Sequence, residues 1–222
     1  MSSVAERLAG VRGRIDAACA RAGRSPDSVG LVAVSKRQPV ELIREAYAAG
    51  QRHFGENYAQ ELRDKAQGLT DLDDIVWHFI GPLQVNKAKY VAKAADTFHA
   101  LDRADLGVEL SRRRAGPYPL RCLIEVNVAG EASKSGVAPA GVSALLHVTQ
   151  PLANLKLVGL MTMPPLADDP EAVRPHFRAL AALARSLGLA ELSMGSTGDF
   201  EVAIEEGATW VRVGTAIFGE RT

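Results

Sequence analysis

Short apolar and β-branched runs alternate with longer helix-compatible segments along the whole chain, and this alternation limits the possible folds more than any other feature. Strand candidates are VGLVAVS (29–35), RHFG (52–55), IVWHFI (75–80), DTFHAL (96–101), LRCLIEVNV (120–128), LKLVGLM (155–161), AELSM (190–194) and WVRVG (210–214). Between them lie PVELIREAYAAG, NYAQELRDKAQ, VNKAKYVAKAA, RADLGVELSRRR, PAGVSALLHVTQ, PEAVRPHFRALAALARSLG and GDFEVAIEEG, several opened by proline or closed by glycine. Pro175 falls inside one of these patterns and marks its first turn. Parallel strands need crossover connections, so a regular strand–helix alternation predicts an α/β fold, a parallel sheet with helices outside it. Eight units predict closure into a single (β/α)8 TIM barrel. An open doubly wound sheet is the alternative, but no GxGxxG follows the first strand.

The segment before the first strand is arginine-rich, yet it carries Glu6 and Asp16, and Val4, Leu8, Val11, Ile15 and Cys19 recur every three or four residues. That spacing puts one apolar stripe on a helix, so an integral helix over about residues 2–23, packed on the barrel, is expected in place of a transit peptide. With no low-complexity linker, residues 1–222 read as one domain. Lysine plus arginine and aspartate plus glutamate balance at 26 each, so no overall field draws the protein to nucleic acid or an anionic membrane. A small molecule is the expected partner. No apolar run approaches the ~18 residues of a membrane span, and no leader precedes a small-residue cleavage site. Cys19 and Cys122 form no CxxC or His/Cys cluster, so they read as reduced core residues with no metal site, and a cytoplasmic location is expected.

In a barrel of this kind functional residues gather where strands end and loops begin. Lys36 stands directly after the first strand. A solvated loop lysine is the plain reading, but an amine partly desolvated in the barrel mouth loses proton affinity and can add to an aldehyde. Asn57, after the second strand, either caps the next helix or bonds a ligand. His78 reads as a core residue, with Gln84, Asn86 and Lys87 following it. The strongest signal comes late: Gly195, Ser196, Thr197 and Gly198 follow strand seven, and Gly214 and Thr215 follow strand eight. Small residues let backbone N–H groups approach an anion, hydroxyls add donors, and barrels commonly bind phosphate at these two loops. Helix capping by Ser196 or Thr197 is the competing reading. Arg212, between Val211 and Val213 in strand eight, either forms a core salt bridge or serves the mouth.

Together, AVSK (33–36), FGENY (54–58), WHFIGPLQ with NK (77–87), NVAGEASKSG (127–136), GLM (159–161), LSMG (192–195) and VRVGTAIFG (211–219) resemble the pyridoxal phosphate homeostasis protein family over nearly the whole chain. The resemblance implies a barrel like the alanine racemase N-terminal domain, the pyridoxal-phosphate fold type III. It implies pyridoxal 5'-phosphate held as a Schiff base on Lys36, Arg212 facing the pyridine nitrogen, Ser196, Thr197, Gly214 and Thr215 around the phosphate, and Asn57 close by. Three positions depart from the family pattern: Ser196 and Thr197 in SMGST (193–197), where members often read SMGMS, and Val85, where many carry serine or arginine.

The resemblance further implies intracellular cofactor homeostasis, with the protein as carrier or buffer and pyridoxal-phosphate-dependent apo-enzymes as recipients. Enzymes that use the ring as a full electron sink set a carboxylate beside the pyridine nitrogen, whereas arginine offers donors only and leaves that nitrogen unprotonated. A non-catalytic binding protein is therefore expected. The alternatives are a minimal amino-acid racemase, which needs a base on each face of its substrate, and a Schiff-base aldolase. In racemase relatives the second base is a tyrosine on an additional β domain that this sequence lacks, which also points to a monomer. Lys87 and Lys134 are further lysines without a role fixed by the sequence.

Overall fold

The computed structural model describes residues 2–115, 118–131 and 134–220. Eight parallel strands close in sequence order into a barrel. They are β1 (Gly30–Val34), β2 (His53–Glu56), β3 (Val76–Phe79), β4 (Thr97–Leu101), β5 (Leu120–Glu125), β6 (Leu155–Met161), β7 (Glu191–Ser193) and β8 (Trp210–Val213). The seam closes in regular register, with Gly30, Leu31, Val32 and Ala33 opposite Trp210, Val211, Arg212 and Val213. All eight expected strands form, each within the span predicted for it or one residue beyond it. The sheet gives out before the predicted end at β5, where Val126 leaves the ladder for a single bridge to Val137.

The helices follow the strands: α1 (Val4–Arg21), α2 (Val40–Ala48), α3 (Ala59–Gly68), α4 (Ala88–Ala94), α5 (Ala104–Arg113), α6 (Val142–Thr149), α7 (Arg174–Ser186), α8 (Phe200–Glu205) and α9 (Thr215–Phe218). Pro175 sits in the first turn of α7, where its missing N–H costs nothing. The short α9 was not expected from the sequence, because four residues carry no readable period.

Helix α1 begins with a capping box: Ser3 Oγ accepts from Glu6 N, and the Glu6 carboxylate accepts from Ser3 N. Its stripe of Val4, Leu8, Val11, Ile15, Ala18 and Cys19 is buried against α8 and α9 on one side and α2 on the other. Arg7 and Arg24 reach across to the carbonyls of Ile217 and Ile204. Helix α1 thus fills the place in the ring where an eighth barrel helix would follow β8, because α9 is too short to cover the seam. Both cysteines are buried thiols, as expected.

Strand residues alternate between two environments. Those turned toward the helices, including Phe54, Phe79 and Phe98, are fully buried among apolar groups. Those turned inward include His53, His78, His99, Ser193 and Arg212, so this interior differs from the branched-aliphatic layers usual in such barrels.

Candidate functional site

At the C-terminal ends of the strands opens a cavity of about 440 Å³. Lys36, Asn57, Ser196, Thr197, Arg212, Gly214 and Thr215 all line it. Four strands and the connections that follow them, β1, β2, β7 and β8, therefore deliver the residues singled out from sequence to one place.

Lys36 is half-buried, and the turn that carries it is held from below. Ser35 is fully buried, its N–H donates to Gly55 O and its hydroxyl donates to Glu56 Oε1 at 2.7 Å. Lys65 Nζ donates to Ser35 O, Glu56 Oε1 and Glu61 Oε1, each at 2.7 Å. Burial pushes the Glu56 carboxyl up to about 7, against the pull of the Lys65 ammonium and the Ser35 hydroxyl. Arg37 follows in the left-handed region at φ 58°, with its N–H on Glu61 Oε1 and its guanidinium over the Tyr58 ring. A non-glycine residue held there stores strain of order 1 kcal/mol, and it sits beside the lysine at the mouth.

Asn57 makes no helix cap: Tyr58, the residue before α3, lacks a side-chain cap bond, and Asn57 Oδ1 is buried without a partner. A buried amide oxygen left unpaired at the edge of a cavity is open to a donor that enters it. Its backbone is pinned by Gly81, where a Cβ would come within 2.4 Å of Asn57 O.

Gly195 has φ 91°, and a Cβ there would lie 2.8 Å from Phe200 Cα, so only glycine permits this turn. The Ser196 N–H and hydroxyl both donate to Asp199 Oδ1, at 2.5 and 2.9 Å. A carboxylate oxygen thus already takes the donors that an anion would take, which fits a loop built to face negative charge. Gly214 leads into α9 on the facing wall.

Arg212 is buried and meets no carboxylate among the described residues. Its Nη1 donates to Ser193 Oγ at 2.7 Å, and its Nη2 donates to Thr162 O at 3.0 Å and meets Met163 Sδ at 2.9 Å. The salt-bridge reading of this residue therefore gives way to a neutral anchorage with its charge toward the cavity. Burial pushes the guanidinium down to about 10, opposed by Asp199 and Glu125, so it stays charged at neutral pH.

Sequence reasoning missed Glu125. It is the last residue of β5, lines the cavity, and is held up at about 7 by burial and by repulsion from Asp102, with Arg212 pulling the other way. Its position at a strand end was the available signal. The mouth is also lined by Met163 and Leu166 of the loop after β6, both exposed. His78 is fully buried as expected, but it is one of several histidines in contact inside the barrel. Lys87 lines a separate hollow with Arg103, and Lys134 pairs with Glu131 and with Pro164 O. Within the NVAGEASKSG motif, Ala132 and Ser133 lie outside the described residues. Among the described residues no cluster of His, Cys, Asp or Glu could hold a metal, and no helix is long and apolar enough to cross a membrane.

A parallel barrel with an amine after β1, a buried arginine on β8 and glycine turns after β7 and β8 defines a class. Residues 9–222 match the family model described as the alanine racemase N-terminal domain, and the chain belongs to that family. Within it, the chain is 49% identical to the pyridoxal phosphate homeostasis protein of Pseudomonas aeruginosa, covering 100% of this chain and 97% of that one. To the protein of the same name from Aquifex aeolicus it is 48% identical over 97% of each. Among solved structures, PipY of Synechococcus elongatus with pyridoxal phosphate bound superimposes with a TM-score of 0.85 at 38% identity, over 98% of this chain and 100% of that one. Alanine racemase of Corynebacterium glutamicum shares the fold, with a TM-score of 0.67 at 18% identity over 96% of this chain and 62% of that one.

Proposed function

We propose that this protein binds pyridoxal 5'-phosphate at the barrel mouth and acts in its homeostasis as a cytoplasmic carrier or buffer, without turnover of its own. The observation that carries this reading is the convergence of Lys36, the unpartnered Asn57 Oδ1, Arg212 and the two glycine turns on one cavity of about 440 Å³. The PipY structure with the cofactor bound and the names of the full-length relatives support it.

Pyridoxal phosphate supplies an aldehyde that condenses with amines and a pyridine ring that can accept electrons. Lys36 offers the amine, on a turn fixed by Ser35, Glu56 and Lys65. Ser196, Thr197, Gly214 and Thr215 form the phosphate cup, where an incoming phosphate competes with Asp199 for the Ser196 donors. Asn57 accepts or donates through its amide at the side of the cavity. Arg212 presents donors only to a ring nitrogen and so keeps it unprotonated, which disfavours transamination and decarboxylation.

A racemase would need a second base opposite Lys36. None of Tyr47, Tyr58, Tyr90 and Tyr118 lines the cavity: Tyr47 donates to Asp74, Tyr58 accepts from Arg37, Tyr90 lies under Arg63 and Lys89, and Tyr118 is exposed. The protein is read as one barrel domain working as a monomer, passing its cofactor to apo-enzymes.

The test is an absorbance spectrum of the wild type beside Lys36→Ala, each with pyridoxal phosphate added and then desalted. A visible chromophore is expected in the wild type and lost in the variant; a chromophore equal in both overturns the role given to Lys36. Deuterium exchange at the α-carbon of a panel of amino acids is expected not to exceed that of free cofactor, and exchange above it overturns the non-catalytic reading.

A further inference from the structure

Behind Arg212, the barrel interior holds a row of polar side chains to which the cofactor reading gives no task. His53 Nδ1 lies 2.9 Å from His78 Nε2, His78 Nδ1 lies 2.8 Å from His99 Nε2, and His99 Nδ1 lies 2.8 Å from Ser193 Oγ. Arg212 Nη1 donates to that same Oγ at 2.7 Å. The row has an end in each of two cavities. Arg212 lines the mouth, and His53 lines a hollow of about 490 Å³ at the opposite face, beside Arg12, Asp16, Asp27 and Arg52.

The direction of every bond follows from one chemical fact: a guanidinium donates and cannot accept. Ser193 Oγ therefore accepts from Arg212 and must place its single proton elsewhere, and its other partner is His99 Nδ1. A buried hydroxyl proton with no acceptor is costly, so His99 Nδ1 accepts and the ring carries its proton on Nε2. That proton points at His78 Nδ1, which makes His78 an Nε2–H tautomer as well. The same step makes His53 Nδ1 an acceptor. Three imidazoles that are ambiguous one by one become a single determined state.

We propose that Ser193, His99, His78 and His53 form a one-way hydrogen-bond chain that positions the Arg212 guanidinium, with all three histidines neutral and protonated on Nε2. The surroundings agree. Burial holds His78 and His99 well below the ordinary histidine range, aided for both by Arg121, for His78 by its histidine neighbours and for His99 by Arg212. Burial also lowers His53, against the pull of Asp96. The Trp210 ring packs at 5.0 Å on both His53 and His78, and its indole N–H is taken by Glu191, which also pairs with Arg121. A proton on His53 Nδ1 would face the proton on His78 Nε2, so charging this end requires every link to reverse and the Ser193 hydroxyl to leave His99. Ser193 and His99 are thus positioning residues for Arg212, and the row ties the mouth to the far end of the barrel.

The test is nitrogen-15 NMR of histidine-labelled protein with and without added pyridoxal phosphate, on the wild type, Ser193→Ala and Ser193→Thr. In the wild type His53, His78 and His99 are expected as neutral Nε2–H tautomers in both states. In Ser193→Ala, His99 is expected to populate the Nδ1–H form, and the dissociation constant for the cofactor is expected to rise about tenfold, the loss of one charge-assisted hydrogen bond. Ser193→Thr restores both. Mixed tautomers in the wild type overturn the proposal, as does an unaltered His99 in Ser193→Ala. Should the alanine variant fail to fold, the wild-type spectrum still decides. The affinity arm rests on the cofactor reading, whereas the tautomer arm does not, so failure of pyridoxal phosphate to bind leaves the row to be judged by its protons alone.

Discussion

Between the strands and the helical ring, Phe54, Phe79, Phe98 and Phe177 are fully enclosed by packing. A few ångströms inward, on the other face of the same strands, His53, His78, His99, Ser193 and Arg212 are joined by hydrogen bonds. The two faces obey different physics. In the outer shell any side chain of the right size and apolarity serves, because burial is non-directional. In the interior each group requires a specific partner, because an unpaired polar atom there costs about 1–3 kcal/mol. The shell decides that the chain closes into a barrel, and the interior and mouth decide what the barrel can hold.

The largest loss of stability is expected from a cavity in the shell. Phe98→Ala is expected to lower the free energy of unfolding by about 3–5 kcal/mol. Urea unfolding should show this as a lower midpoint at unchanged slope, while cofactor bound per folded molecule stays the same; a loss of binding capacity would mean that the two faces are not separable. The mouth should show itself through pH. Glu56 and Glu125 are each held up at about 7, above their range in an unfolded chain, so each binds more protons folded than unfolded. Their stabilising contribution is complete below the ordinary glutamate range and is lost as pH rises toward about 7, on the order of 2–3 kcal/mol for each. Glu125→Gln should flatten that slope in a series of unfolding curves between pH 4 and pH 8; an unchanged slope removes Glu125 from the account.

A smaller effect sharpens the picture of the cup. Replacing Thr197 and Thr215 together by alanine is expected to raise the dissociation constant for pyridoxal phosphate about tenfold while leaving that for pyridoxal nearly unchanged. Equal losses for both ligands, read by absorbance titration, would contradict the phosphate assignment. At the bottom of the scale, Arg44 pairs with Asp71 on the exposed surface, and Arg44→Ala should move the thermal midpoint by no more than about 2 °C.

The same contrast explains what could be read in advance. The strands were legible because short apolar and β-branched runs such as WVRVG (210–214) alternate regularly with longer helix-compatible segments. Helix α1 was legible from its stripe at helical spacing, though nothing in the sequence told that it would cover the β8–β1 seam. Lys36, Asn57, Arg212 and the glycine turns followed from where they sit relative to strand ends. Glu125 obeyed the same positional rule and was passed over, since a carboxylate closing a strand resembles many solvated ones until its burial is known. His53 and His99 were invisible as partners, because side-chain hydrogen bonds between the neighbouring strands β2, β3 and β4, and across the barrel from β4 to β7, join residues far apart in sequence and leave no local pattern. His78 alone looked like a core residue, which is half of what it is.

One consequence of α1 reaches beyond the folded state. Its apolar stripe finds its partners in α8, α9 and α2, so residues of α1 are made long before the α8 and α9 segments that supply most of their contacts. Contacts so distant in sequence are slow to form, and until then Val4, Leu8 and Val11 face water on a nascent chain. A permuted gene that joins α1 directly behind α9 would turn this longest-range contact into a local one, and the barrel should then close faster.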